Sequence, residues 1–368
     1  MKRYVHEKIA FVQRARPTDE HVLVIPGARS GVVRDAQSRI YSIRSPLVSR
    51  TTQYRALLDL RALHEIIERE QPDIIECADP YQVGWAALRI AATYRIPVAA
   101  FYHSHFAEAY LRKPVERFGR ASADVVMKGA RAYVRSFYNR FDGTLVPSDG
   151  LCRVLQDWGV TNTRKISLGV NTDVFRPDHS LGRDDDRIGL LYVGRLAAEK
   201  NTHVLFEAFA LLGMRSARFE LVVVGDGQQR ERLRELQQET GRVTWLAYCT
   251  DAAELAELYR NADLFVHPGV EETFGLVALE AQACGTPVVG IRGTHMDEVI
   301  LHEQSDWAAV DNADDLADAI ERMAARNDLR ALGSAAAAEV AQRYSWSRVF
   351  ADLFSFYGEV IAGYRKAS

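Results

Sequence analysis

Cysteine is scarce in this chain: four stand among 368 residues, at Cys77, Cys152, Cys249 and Cys284, with no CxxC and no Cys/His spacing. Neither a disulfide frame nor a structural zinc site is expected, and the usage suits a reducing cytoplasm. No stretch approaches the ~18–20 consecutive apolar residues that span a bilayer. The first residues lack the apolar run and small-residue cleavage site of a secretory leader, so none is expected. An excess of either charge is also missing, since 46 Lys+Arg against 49 Asp+Glu leave −3, with a pI near 6.4. The chain as a whole is therefore no polyanion binder, and no nucleic-acid partner is expected. Hydrophobic residues at 48% and charged residues at 26% exclude disordered, collagen-like and coiled-coil chains. The length accommodates two domains.

What is present is an alternation of short apolar runs with amphipathic helical segments. In the first half, HVLVIP (21–26), RIYSI (39–43), DIIEC (73–77), PVAAFYH (97–103) and GTLVP (143–147) read as strands. Helical patterns lie between them, as at 54–70 and 82–94. The second half repeats the plan with IGLLYVG (188–194), FELVVVG (219–225), VTWL (243–246), ADLFVHP (262–268) and TPVVGI (286–291). Near-continuous apolar strands separated by helices predict parallel sheets covered on both faces, hence two doubly wound α/β domains. The expected division is 1–168, a linker at 169–187, 188–345, and a last helix from 346 that docks across domains. Its Trp346, Phe350, Leu353, Phe354 and Tyr357 share one face. The linker reading rests on GVNTDVFRPDHSLGRDDD (169–186), which has five Asp and neither helical nor alternating period.

The N-terminus reads two ways. Val5, Ile9 and Val12 suit an amphipathic helix, while Ile9 to Val12 also suits a short buried strand. No glycine precedes Gly27, so the glycine-rich turn that usually follows the first strand of such a sheet is not expected here.

Three loops of the second half follow strands and precede helices, where parallel sheets bind ligands. Gly194-Arg195 is followed by Lys200 at a helix start, so two cations converge where a helix dipole favours an anion such as a diphosphate. A solvated basic helix start gives the same pattern. Gly225-Asp226-Gly227 is a tight turn after an apolar strand. The third loop, EETFGLVALEAQACGTPVVG (271–290), sets Glu272 and Glu280 so that both can face one cleft. A carboxylate among Leu276, Val277, Leu279 and Ala281 costs free energy unless partnered. Vicinal hydroxyls of a sugar or ribose are natural partners, and the N–H groups around Phe274, Gly275 and Leu276 can hold phosphate. The alternative is an acidic pair at Glu271 and Glu272 that only complements the helix dipole.

These pieces, YVGRLAAEKN (192–201), LVVVGDG (221–227), the Glu-x7-Glu segment with its ACGTPVVG tail (272–290), and VPSDGL with LGVNTDVFRP (146–151 and 168–177), resemble in type and order the retaining glycosyltransferases of family 4. The resemblance covers most of 70–345. It implies the GT-B architecture, two Rossmann-like domains facing across a cleft, and transfer of a hexose from a UDP- or GDP-sugar with retention at the anomeric carbon. It further implies that Arg195 and Lys200 neutralise the donor diphosphate, that Glu272 holds sugar hydroxyls and Glu280 the ribose, and that Gly194, Gly225, Asp226, Phe274, Gly275 and Leu276 surround the donor. Leu246 to Cys249 would line the base, and His103 in FYHSHF (101–106) would stand beside the donor sugar, with His105 a second candidate.

Cationic stabilisation of the leaving diphosphate in a water-poor cleft requires no metal and no cofactor. The only DxD-like run, Asp184 to Asp186, falls in the linker. The acceptor is expected to be a saccharide or a lipid-linked sugar in surface polysaccharide or glycoconjugate synthesis. Residues 109–140 hold eight Arg/Lys against two Asp/Glu, with Tyr110, Phe118, Tyr133, Phe137 and Tyr138 interleaved. That segment reads either as a peripheral contact with anionic lipid at the inner face of the membrane or as a solvated helix with its aromatics in the core. Two other functions stay open: a GT-B-shaped nucleotide-sugar 2-epimerase, and a sugar-nucleotide-binding subunit without turnover.

Overall fold

The computed structural model describes residues 2–49, 54–103, 120–178, 186–270, 272 and 274–367. The chain divides into two units, 1–167 with 349–368, and 168–348.

The first unit opens with helix α1 (Lys2–Ala15), then strands β1 (His21–Gly27), β2 (Gly31–Asp35), β3 (Ser38–Arg44), β4 (Leu47–Ser49) and β5 (Tyr54–Arg55). There follow α2 (Leu60–Glu70), β6 (Ile75–Cys77), α3 (Gln82–Tyr94), β7 (Val98–Phe101), α4 (Arg120–Tyr138), β8 (Gly143–Val146), α5 (Asp149–Asp157) and β9 (Thr163–Lys165). Strands β6-β7-β8-β9 form a parallel sheet in that order, while β1 lies parallel and β2 antiparallel to β3 in a separate three-stranded sheet. Strands β7 and β8 are buried throughout, as parallel strands covered on both faces must be.

The N-terminal segment is the helix of the two readings, but its inward face differs from the one its aliphatic residues suggest. Tyr4, Lys8, Phe11 and Val12 are the buried positions. Phe11 packs on Phe350 and Phe354, and Tyr4 on Phe101 and Phe350, with ring centroids 5.0–5.7 Å apart. Beneath them lies a buried polar knot. Glu76 accepts from Lys8 at 3.1 Å, from the Tyr4 hydroxyl at 2.9 Å and from the Tyr357 hydroxyl. Burial raises the Glu76 pKa, but Lys8 and the two hydroxyls outweigh it and hold the carboxyl below its ordinary value.

The second unit contains β10 (Ile188–Val193), α6 (Thr202–Arg215), β11 (Phe219–Val224), α7 (Arg230–Thr240), β12 (Val243–Leu246), α8 (Ala252–Arg260) and β13 (Leu264–His267). It continues with α9 (Leu276–Ala283), β14 (Val288–Gly290), α10 (Ala313–Ala324) and α11 (Leu329–Tyr344). Its five strands are all parallel, in the order β12-β11-β10-β13-β14. The winding therefore reverses between β10 and β13, the switch point where open α/β sheets bind ligands. Leu190, Leu191, Val223, Leu264, Phe265 and Val266 are fully buried between the helical layers.

The expected linker is a correction. Val170 is buried, donates its N–H to Tyr344 O at 2.8 Å and bridges to Ser345, and Phe175 is in the second unit's core. Composition misleads there because Asp173, Arg176 and Asp178 are exposed around an Asn171-initiated turn, in which Asn171 O accepts from Phe175 N at 2.9 Å. Residues 179–185, with Asp184 and Asp185, lie outside the described residues. Helix α12 (Trp346–Ala367) starts in the second unit, with its Trp346 ring against Gly169, and from Val349 belongs to the first.

Candidate donor-binding site

A cavity of about 250 Å³ opens at the C-terminal ends of β10 and β13 in the second unit. Tyr192, Gly194 and Lys200 line it from the β10 side; His267, Pro268, Gly269 and Glu272 come from β13 and its loop, and Phe274, Gly275 and Leu276 from the start of α9. Another hollow, of about 190 Å³ in the first unit, is lined by Gln71, Asp73, Arg95 and Arg365. It lies at the N-terminal ends of β6 and β7, the wrong end of a parallel sheet for a ligand.

The backbone around the cavity is stitched before any side chain is considered. Gly194 N donates to Val224 O at 2.9 Å, Leu196 N to Asp226 O at 3.1 Å, and Gly225 N to Leu246 O at 2.8 Å. The two glycine-bearing loops touch: a Cβ on Gly225, whose φ is +143°, would meet Gly194 O at 1.9 Å, and one on Gly227 would meet Leu196 O at 2.3 Å. The GDG turn is glycine-rich because two loops close on each other. Asp226 serves the same end, accepting from Gly227 N at 2.7 Å and pairing with Arg230. Leu246, at the end of β12, is 37% exposed beside this loop and does not line the cavity.

Lys200 and Glu272 meet as an ion pair inside the cavity, with side chains 26% and 16% exposed. Lys200 closes a short 3-10 turn (Ala198–Lys200), followed by Asn201 in the left-handed region at φ 56°. Asn201 is buried and donates to Pro268 O at 3.0 Å and to Asp311 at 2.6 Å, which ties the Lys200 turn to the end of β13. Beneath it, the Tyr192 hydroxyl donates to Arg195 O at 3.0 Å. Burial, then the charge of Arg195, brings the Lys200 pKa down to about 8 against the opposing pull of Glu199.

Helix α9 starts at Gly275 (φ +70°) with no side chain capping its first N–H groups. A Cβ at Gly275 would fall 2.2 Å from Met296 Sδ, so the turn needs glycine on both conformational and spatial grounds. Uncapped N–H groups and a lysine on one cavity wall are the donor set of an anion site.

Arg195 and Glu280, like Gly225, Asp226 and Leu246, do not line this cavity, and His103 falls in the other unit. Arg195 is 68% exposed and pairs with Glu199 at 2.9 Å. Glu280 does not share the cavity with Glu272: it is 2% exposed, and the Tyr259 hydroxyl donates to it at 3.2 Å, so the partner that a buried carboxylate needs includes a tyrosine of α8. His103 belongs to the first unit, just beyond β7, with Nδ1 3.4 Å from Phe101 O and its pKa lowered by burial. His105 and residues 109–119, with Tyr110 and Phe118, lie outside the described residues. In the described part of the basic segment, Phe137 and Tyr138 are core residues and Tyr133 hydrogen-bonds Pro80 O, so these three aromatics pack inward rather than forming an interface. Among the described residues, no helix is long and apolar enough to cross a membrane.

Sequence reasoning missed His267, Tyr192 and Asn201. His267 ends an otherwise apolar strand directly before Pro268, and a polar residue at the C-terminal end of a buried strand was the available signal.

Comparison with known proteins agrees with this geometry. The model of group 1 glycosyl transferases matches residues 176–339, and that of glycosyltransferase family 4 matches 4–174. The chain is similar to a D-inositol 3-phosphate glycosyltransferase of Saccharomonospora viridis, 37% identical over 60% of this chain and 56% of that protein, so little more than half of that relative's length is spanned. It is 29% identical to a GDP-mannose-dependent alpha-mannosyltransferase of Corynebacterium glutamicum, over 88% of this chain and 76% of that one. In fold it is similar to sucrose-phosphate synthase from Thermosynechococcus elongatus, with TM-score 0.77 at 23% identity over 98% of this chain and 93% of that one. HepE from Anabaena, solved with UDP and glucose, has TM-score 0.67 at 18% identity over 96% and 95% of the two chains. With its two halves matched in order by these models and its two Rossmann-like units, the chain belongs to the group 1 glycosyltransferases of family 4 type, which have the GT-B fold.

Proposed function

We propose that the protein transfers a hexose from a nucleoside-diphosphate sugar to a saccharide or lipid-linked acceptor, with retention at the anomeric carbon. The observation that carries this reading is the meeting of Lys200 and Glu272 in one cavity at the uncapped start of α9. When a donor enters, Lys200 and the helix N–H groups take the diphosphate, and Glu272 turns to the sugar hydroxyls. As the anomeric C–O bond breaks, negative charge builds on the departing phosphate, where the ammonium and the helix start stabilise it. Arg195, on the exposed side of the same turn, strengthens the field on the phosphates. This charge set lets the reaction proceed without a metal, and the departing phosphate takes the acceptor's proton on the same face. GDP-mannose and UDP-glucose are the first donors to test, since relatives are named for GDP-mannose and HepE is described in complex with UDP-glucose. The enzyme would work in the cytoplasm. An acceptor at the membrane surface is in keeping with the exposed Val125 and Val126 beside Lys128 on α4.

The test is a thermal-shift series with GDP, UDP, GDP-mannose and UDP-glucose, followed by donor turnover with and without saccharide acceptors. One nucleotide pair should raise the melting temperature, and Glu272→Ala should abolish turnover while the melting curve stays cooperative. No shift with any of the four, or normal turnover by Glu272→Ala, would overturn the assignment.

A further inference from the structure

His267 is an ionisable residue of the cavity lining to which this reading has given no task. It closes β13 and is 94% buried, for its exposure is 6%. The ring edge facing the cavity is flanked by two glycines: a Cβ on Gly269 would lie 3.2 Å from Cε1, and one on Gly275 would lie 3.9 Å from Nε2. With no side chain at either position, the Cε1–Nε2 edge is left open to the space between Lys200, Glu272 and the start of α9. The carbonyl of its own main chain stands beside the ring and opposes the lowering of its pKa. No other residue among those described hydrogen-bonds the ring.

A histidine in this position is an expense for an otherwise apolar strand. A ring nitrogen at the cavity's edge is left to pair with whatever enters the cavity. Burial first, then the positive charge of Lys200, lowers the His267 pKa to about 4, so the ring is neutral at physiological pH. In the neutral tautomer protonated at Nδ1, Nε2 is an acceptor. A phosphate oxygen, also an acceptor, cannot pair with it. A hydroxyl can.

We propose that His267 is a donor-binding residue whose Nε2 accepts a hydrogen bond from a hydroxyl of the donor sugar, alongside Glu272. The inference rests on the nucleotide-sugar reading of this cavity and adds a second sugar contact to it. It divides the cavity's work: Lys200 and the helix start hold phosphates, whereas Glu272 and His267 hold hydroxyls.

The experiment compares two affinities in each variant by calorimetry: nucleoside diphosphate alone (GDP or UDP) and the matching sugar conjugate (GDP-mannose or UDP-glucose). His267→Phe keeps a flat ring and removes the acceptor. It should weaken the sugar conjugate roughly 5- to 15-fold, the worth of one hydrogen bond, and leave the diphosphate unchanged within about twofold. His267→Gln, whose amide oxygen reaches the position of Nε2, should recover most of the loss. Should the Phe variant not fold, His267→Asn, whose amide stops short of that position, carries the same expectation. Equal losses for both ligands would mean a purely structural role and overturn the proposal, as would no change for either. If the native chain binds no nucleotide at all, the donor reading itself fails. If it binds both and only the sugar increment is insensitive to residue 267, the donor reading stands and this inference falls.

Discussion

Raising the pH from 7 to 9 should weaken donor binding about tenfold, through Lys200 alone. In the free site its pKa is about 8, lowered by burial and by Arg195. The ammonium is then roughly ten-elevenths populated at pH 7 and one-eleventh at pH 9, by simple titration. A bound diphosphate adds negative charge beside it and lifts the pKa, so affinity follows the fraction of free protein that carries the proton and falls as pH rises through 8. Glu199, Glu272 and Arg195 are the other charged groups beside it, and His267 has lost its charge well below this window, near 4. A sugar conjugate is the proper ligand, because its phosphates are diesters and stay singly ionised. Lys200→Arg keeps a permanent cation, so its affinity should be nearly flat over the same range. The nucleobase's own ionisation is common to both proteins and cancels in their ratio. A flat profile for the native protein, or an equal slope in Lys200→Arg, would refute the placement of Lys200 on the diphosphate.

Other perturbations separate the structural parts. Gly225→Ala should cost ~3 kcal/mol or more in urea unfolding, since it adds positive-φ strain to a collision with Gly194 O, whereas Gly241→Ala, at φ +62° with open space around it, should cost only about 1 kcal/mol. Lys8→Met leaves Glu76 buried without its cation and should destabilise the first unit by about 3 kcal/mol, read as an earlier unfolding transition that donor nucleotides do not shift. His21 and His267 are both held neutral, with pKa values lowered to about 4, so the unfolded chain takes up more protons between pH 6.5 and 4. Stability therefore falls on acidification through that window, and the urea midpoint should be lower at pH 5 than at pH 7. Glu272→Ala, inactive in transfer, should bind the nucleoside diphosphate as tightly as the native chain or up to about tenfold more tightly, measured by calorimetry.

The central strands of both units are legible in the sequence because burial on two faces demands near-continuous apolar runs, as in VAAF of β7 and FELVVV of β11. Strands that escape notice are those with no buried face to declare. GVVRD of β2 is exposed at every position, and TRK of β9 is a polar edge. The N-terminal helix hides its orientation for a related reason: its inward face uses Tyr4 and Lys8, polar residues buried because Glu76 receives them, so a search for aliphatic periodicity selects Val5 and Ile9 instead. Within the site, Lys200 and Glu272 are legible because each ends a loop after a buried strand. Glu280 shows that a buried carboxylate can find a partner within the protein that its own segment does not reveal, since Tyr259, from a helix that ends 20 residues earlier, supplies a hydroxyl.

If the cavity takes a nucleoside-diphosphate sugar, the pairing of Lys200 with Glu272 explains how a site for a doubly charged donor can remain folded without one. A lysine about three-quarters buried, alone beside Arg195, would be repelled and desolvated at once. On the proposed reading, the carboxylate of Glu272 pairs with Lys200 where a donor phosphate would, and joins the loops after β10 and β13. Arg195 with Glu199 repeats the arrangement at the rim of the same turn. Each cation thus has a carboxylate partner within the protein, and donor binding, as proposed, would be an exchange of partners rather than the creation of a new ion pair. The exchange makes Glu272 a competitor of the diphosphate and a partner of the sugar. Its removal should therefore affect the two halves of the donor in opposite directions, which a purely structural salt bridge would not do.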